Sequence, residues 1–270
     1  MITSRARTRV SPSCRKKIAT DCVPCPLFLT LDAAADRGLD FVVFTEHNTH
    51  SHVRELTALQ PYFDRLLLIP GMEMTTFQGH ANALNLREPV DFRVGSAAVP
   101  DWNSLLTEVA RKGAIVSINH PRVPTGEACM GCGWSPAPAA DMSLVQAVEV
   151  VNGHDVESAT AGLPFWHQQL QLGHRLTAIG GSDTHDVTSK NFMPPPGRIG
   201  APTTVVHARE LSAAAIIDGI RAGNVFVDTA GTRDRILEFT ARHANKQVLM
   251  GEELQLDGRR KVTFDVRVAH

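Results

Sequence analysis

Between about residue 26 and residue 228 the chain repeats one alternation, and this alternation restricts the fold more than any other feature. Residues 41–44, 66–69, 80–86, 114–118, 145–152, 176–179 and 203–207 are short apolar runs of strand length. Residues 30–37, 51–59, 102–111, 165–172 and 213–222 have helical character, and Gly38 and Gly113 stand just past helix ends. Continuous apolar strands separated by helices build a parallel sheet covered by helices. Six or seven such units, with polar residues at the strand C-termini, predict a barrel rather than an open sheet. After Asp228 the period changes to two, in ILEFTA and VTFDVRV, which predicts antiparallel strands of a small appended piece. Residues 1–17 hold Arg5, Arg7, Arg9, Arg15, Lys16 and Lys17, no acid and no apolar periodicity, so an irregular arm outside the core is expected. The expected organisation is a basic arm at 1–25, a barrel at 26–228 and a β appendage at 229–270. The chain stops directly after a strand, so that appendage is expected to be incomplete.

The polar residues at the strand ends carry the chemistry. Glu46 and His47 follow the first run, Glu73 follows the second, His80 opens the third, His120 closes SINHP, and Asp183 and His185 lie in GGSDTH. Asp183 and His185 are one residue apart, so in an extended segment their side chains point the same way. Carboxylates and imidazoles aimed together are a ligand set for zinc, manganese or iron. Each residue alone is ordinarily a hydrogen-bonded structural group; His47, Glu73, His80, His120, Asp183 and His185 converging on one barrel face are a candidate site. Arg122, Lys190 and Arg198 lie in loops beside these motifs and have the chemistry to clamp an anionic oxygen, although a solvated loop charge accounts equally well for Lys190.

Five cysteines are present: Cys14, Cys22, Cys25, Cys129 and Cys132. Two C-x-x-C pairs give the ligand count of a structural zinc site at Cys22, Cys25, Cys129 and Cys132, with disulfides or unpaired thiols as the alternatives. A net charge of −1 gives no field favouring nucleic acid or a membrane surface. No apolar run reaches the roughly 18 residues needed to span a bilayer, and no signal peptide is visible, so a cytoplasmic protein is expected. The sequence does not set an oligomeric state.

TEHNTH, the G-x-E of GMEMT followed by GHANALN, INHP and GGSDTH occur in the order found in the PHP metallohydrolases, the polymerase and histidinol phosphatase domain family, and the chain resembles them from about residue 24 onward. RVPTGEACMGCGW and GRIGAPTTVV resemble the carbaryl-hydrolase-type branch. The resemblance implies a distorted (βα)7 TIM-like barrel holding divalent ions (Zn, Mn or Fe), one to three in number. It also implies hydrolysis of an ester by a metal-activated hydroxide, a phosphate ester first, a carbamate or carboxylic ester next. Glu73 would bridge two metals and be catalytic, and His80 and His120 would complete one site with it. His47 and His185 would hold another metal, and Asp183 a third shared with Glu73. Glu46 would orient a ligand from outside the metal shell, and Arg122 and Arg198 would be catalytic. One departure stands against these matches: the family opens with an H-x-H strand, whereas the first histidine here is His47. The departure implies a barrel lacking its first strand, open between two staves, with residues 1–20 an altered start in its place. The alternative function is a truncated, catalytically impaired domain binding one metal or none.

Overall fold

The computed structural model describes residues 27–269 apart from 128, 186, 188–198, 233, 259 and 260. The basic arm, Cys14, Cys22, Cys25, Lys190 and Arg198 therefore lie outside the described residues. Six strands form one curled, half-barrel sheet in sequential order: β1 (Phe41–Phe44), β2 (Leu67–Thr76), β3 (Gly79–Leu84), β4 (Ile115–Ile118), β5 (Ala147–Asn152) and β6 (Thr177–Gly181). The β1/β2, β4/β5 and β5/β6 pairs are parallel, as alternation with helices requires. The expectation of an all-parallel barrel is corrected at β3, which runs antiparallel to both β2 and β4. Only Phe77 and Gln78 separate β2 from β3, and a link that short can join strands only as a hairpin. Glu73 accordingly lies within a long strand rather than beyond its end.

Helices α1 (Leu27–Asp36), α2 (His52–Leu59), α3 (Trp102–Arg111) and α4 (Leu163–Gln171) precede or connect these strands. In α3, buried Trp102, Leu105, Leu106 and Val109 recur at helical spacing, one apolar stripe against the sheet. The Asp101 carboxylate caps this helix by accepting from the Ser104 N–H at 2.8 Å, a contact of about 1 kcal/mol. Beyond β6, β7 (Thr203–Val206) and β8 (Val225–Asp228) pair antiparallel around α5 (Ala213–Ala222). β7 meets β6 through a side chain: the Thr204 hydroxyl donates to the Gly180 carbonyl at 2.7 Å and accepts from its N–H at 2.9 Å.

Side-chain alternation along the six strands sets what faces the hollow of the sheet. Phe41 and Val43, Leu67 and Ile69, Leu84, Ile115, Ala147 and Ile179 form its apolar end, packed with Ile216, Ile217 and Ile220 of α5. The intervening positions (Leu68, Met72, Met74, Ala81, Ala83, Val116, Ile118 and Val148) pack outward under the helices. Two to four residues further along the same inward face the side chains turn polar: Glu73, Asn82, Asn119 and Glu149. These line a cavity of about 360 Å³ between β1 and β6, the two edge strands of the sheet.

After Asp228, β9 (Ile236–His243), β10 (Lys246–Leu249) and β11 (Thr263–Ala269) make a three-stranded antiparallel sheet, as the period-two pattern predicts. No helix among the described residues is long and apolar enough to cross a membrane.

Candidate metal centre

Each inward polar side chain reaches the cavity by a definable backbone route. Beyond β1 the chain keeps alongside β2: His47 bridges to Glu73, the Glu73 N–H donates to the Glu46 carbonyl at 3.1 Å, and the Asn48 N–H donates to the Glu73 carbonyl at 2.9 Å. Asn48 closes this junction by donating to the Thr75 carbonyl at 2.9 Å and accepting from its N–H at 2.8 Å. Across the hairpin, His80 stands opposite Thr75 and Asn82 opposite Glu73. His120 follows β4, and Asp183 and His185 follow β6. His120 (φ 26°) and Asp183 (φ 49°) both occupy left-handed backbone; such conformations cost about 1–3 kcal/mol each and persist only where surrounding contacts impose them.

The six residues singled out as metal ligands fall into one ring of neighbours. Glu73 Oε1 lies 3.3 Å from His80 Nδ1 and 3.8 Å from His120 Nε2, and Glu73 Oε2 lies 3.6 Å from His47 Nδ1. His47 Nε2 meets His185 Nε2 at 3.0 Å, and His185 Nδ1 is 3.8 Å from Asp183 Oδ1. Asp183 Oδ2 accepts from the Asn152 amide at 3.1 Å, as does Glu149 Oε2 at 3.1 Å. Glu149 Oε2 also accepts the His120 backbone N–H at 2.9 Å, which closes the ring. Glu73, His80, His120 and Glu149 are buried, whereas His47 and His185 face solvent.

Hydrogen bonds on the far ring nitrogens hold the imidazoles in orientation. The Asp183 carbonyl can only accept, so neutral His185 donates to it from Nδ1 at 2.9 Å and keeps a lone pair on Nε2. His80 Nε2 lies 3.3 Å from the Met130 carbonyl, and the tautomer that donates there presents the Nδ1 lone pair on the side of Glu73. His47 Nδ1 is held by the Thr75 hydroxyl at 2.7 Å. A second group fixing the far nitrogen is the usual arrangement of metal-ligating histidine.

Burial works against charge on Glu73, yet His120, His80 and His47 hold its carboxyl well below the usual carboxylate range. His120 shows the converse. Burial lowers its pKa, but Glu73, Glu149 and Asp183 together push it up to about 9. Burial raises Glu149 to about 7, with Asp183 adding to the rise and His120 and Asn152 opposing it.

Glu73, His80 and His120 fit a divalent ion. Their ligand atoms all lie within 4.8 Å of one another. Bonds of roughly 2.0–2.2 Å at tetrahedral angles place neighbouring ligands about 3.3–3.6 Å apart, close to the observed 3.3 and 3.8 Å. Glu73 Oε1 and His80 Nδ1 are fully buried and without a hydrogen bond among the described residues, their 3.3 Å approach being misaligned for one. Buried polar atoms left without partners are costly, and a shared cation would satisfy both.

Glu149 and Asn152 belong to this centre but are absent from the sequence-derived set. The signal was one carboxylate inside the apolar run AVEVVN, a position where a buried charge requires partners. Gly181 makes room for it, since a Cβ there would stand 2.6 Å from Glu149 Oε1. Arg122 is exposed on the loop after β4 and is not among the residues lining the cavity. Glu46 is exposed at the cavity edge. The expected four-cysteine zinc site is corrected at Cys129 and Cys132: they are joined to each other as a disulfide, which takes up both sulfurs.

No family model matches the chain. No curated protein matches it either. Among solved structures, the chain is similar to a protein of Bifidobacterium adolescentis that carries the provisional designation metal-dependent phosphoesterase. The likeness has 15% sequence identity and a TM-score of 0.43, covering 63% of this chain and 86% of the other.

Proposed function

We propose that the chain is a metal-dependent hydrolase acting on an ester bond of a small molecule, a phosphate ester first and a carbamate or carboxylic ester next. The observation that carries this reading is the buried Glu73–His80–His120 cluster, whose ligand atoms are spaced for one divalent ion, with Glu73 Oε1 and His80 Nδ1 lacking a hydrogen-bond partner among the described residues. The order of the motifs, similar to that of PHP metallohydrolases of the carbaryl-hydrolase-type branch, supports the ester as the target. Oxygen and imidazole ligands together suit Zn, Mn or Fe. An ion held there would supply Lewis acidity toward the ester oxygen and acidify a water at neutral pH. Glu73 contributes the charge, His80 and His120 offer Nδ1 and Nε2, and His47 with His185 present a second, solvent-facing pair. Asp183, held by Asn152, places a further carboxylate beside them. The 360 Å³ cavity is at the small end of ligand pockets, which favours a compact substrate.

The test is hydrolysis of an aryl phosphate, an aryl carbamate and an aryl carboxylic ester after removal of metal by a chelator, followed by return of Zn²⁺, Mn²⁺ or Fe²⁺. Loss on chelation and recovery with one ion is expected. Bound metal with no turnover of any ester, or no metal bound at all, would overturn hydrolysis and establish the impaired domain instead.

Glu149 acts through His120, as a positioning residue. Gly181→Ala drives a methyl group against the Glu149 carboxylate, and divalent-ion affinity is expected to fall about tenfold or more. Calorimetric titration measures this, and an unchanged affinity would show that Glu149 does not hold His120 in place.

A further inference from the structure

The loop at residues 123–141 brings two cysteines to the side of His80 away from Glu73. We infer that Cys129, Cys132 and His80 form a second metal site, open to a thiophilic divalent ion when the two cysteines are reduced and closed by their disulfide.

Three observations carry this. First, one ligand atom from each of Cys129, Cys132 and His80 lies within 4.8 Å of the others, with Cys132 and His80 buried and Cys129 partly exposed. Second, His80 turns its two nitrogens to different neighbours. Nδ1 faces Glu73 at 3.3 Å, while Nε2 faces the carbonyl of Met130, the residue that follows Cys129. Third, the loop is fastened where it is. The Trp134 N–H donates to the Pro121 carbonyl at 3.0 Å, the Ser135 N–H to the Gln78 carbonyl at 2.8 Å, and the Ala137 N–H to the Gln78 side chain at 3.2 Å. Gly131 presses on the hairpin so closely that a Cβ would stand 1.9 Å from the Thr76 carbonyl oxygen. The cysteines are therefore positioned at the hairpin before any ion arrives, while Met130 between them is exposed and leaves an approach from solvent.

Two thiolates and an imidazole are a soft set, unlike the carboxylate-bearing cluster on the other side of the ring, and they select a thiophilic ion such as Zn²⁺ or Cd²⁺. Opening the site consumes one dithiol. Its thiolate attacks a disulfide sulfur, two electrons and two protons pass to Cys129 and Cys132, and the reagent leaves as a disulfide. Binding the ion then releases the two thiol protons, and the His80 proton passes from Nε2 to Nδ1, which faces the Glu73 carboxylate at 3.3 Å. The inference does not rest on ester hydrolysis, because its readout is a thiolate-to-metal absorption that the Glu73 cluster cannot give.

The experiment uses the full chain with Cys14, Cys22 and Cys25 replaced by serine. It is reduced with a dithiol, freed of reagent without oxygen, and titrated with Cd²⁺ while the ultraviolet thiolate-to-cadmium charge-transfer band is followed. The reduced chain is expected to gain the band with one equivalent, and the unreduced chain to show none. Cys132→Ser should abolish most of the band; should that variant not fold, alkylating the reduced thiols gives the same loss. His80→Gln should keep the band and weaken Cd²⁺ binding by about tenfold or more. A band in the unreduced chain, no band after reduction, or an unchanged affinity in His80→Gln would each overturn the proposal.

Discussion

On the function proposed above, Glu73→Gln is expected to strip the chain of most of its divalent metal and lower ester hydrolysis by at least about a hundredfold, a factor at the upper end of what losing even an outer-shell partner costs. The substitution keeps the shape of the side chain and removes its charge. Among the described residues, Glu73 is the one carboxylate that His47, His80 and His120 all face, at 3.6, 3.3 and 3.8 Å. Those imidazoles hold it ionised despite its burial, so in the metal-free chain it already acts as the negative pole of the cluster. An amide at this position offers a cation only a neutral oxygen, and its NH₂ group competes for the lone pair of His80 Nδ1. Metal analysis per chain and a fixed-substrate rate, compared between wild type and variant, are the measurements. A variant that keeps its metal and its turnover would place the chemistry away from this cluster.

Much of this arrangement could be read from residue order because strands and helices announce themselves by different periods. All five helical stretches became helices, and TEHNTH, INHP and GGSDTH each deliver their side chains to one cavity. The hairpin was not legible. Phe77–Gln78 lacks the Asn-Gly or Gly-Gly signature of a two-residue turn, and GMEMTT reads as a strand end running into loop. Glu149 was hidden for the opposite reason. Its neighbours Val148, Val150 and Val151 mark a core strand, and one carboxylate does not alter that pattern. Strand β6 also runs past the apolar residues 176–179. Gly180 and Gly181 complete β6 rather than end it, their missing Cβ atoms leaving space for Pro202 and for the Glu149 carboxylate. Close approaches of this kind depend on which strands become neighbours, information that no local window contains.

Trp102→Ala is expected to destabilise the chain by about 3–5 kcal/mol, the range for truncating a buried large aromatic. Trp102 is completely buried at the first turn of α3, with its ring 4.6 Å from that of Trp134. Trp134 in turn lies over Gly79, where a Cβ would stand 2.5 Å from the indole. The pair thus joins α3, the cysteine-bearing loop and the β2–β3 hairpin that presents His80. For a chain of this size each kcal/mol shifts the unfolding midpoint by roughly 2–4 °C, so a drop on the order of 10 °C should be seen by circular dichroism. Trp102→Phe separates packing from polarity. The indole Nε1 of Trp102 is buried without a hydrogen-bond partner among the described residues, so the native side chain already bears a desolvation cost that phenylalanine does not. The phenylalanine variant should therefore lose markedly less than the alanine one, because it keeps most of the aromatic contact and discards the unpaired donor. Equal losses in the two variants would mean that the tight Trp102–Trp134 fit, and not buried apolar volume, holds α3 and the loop to the sheet.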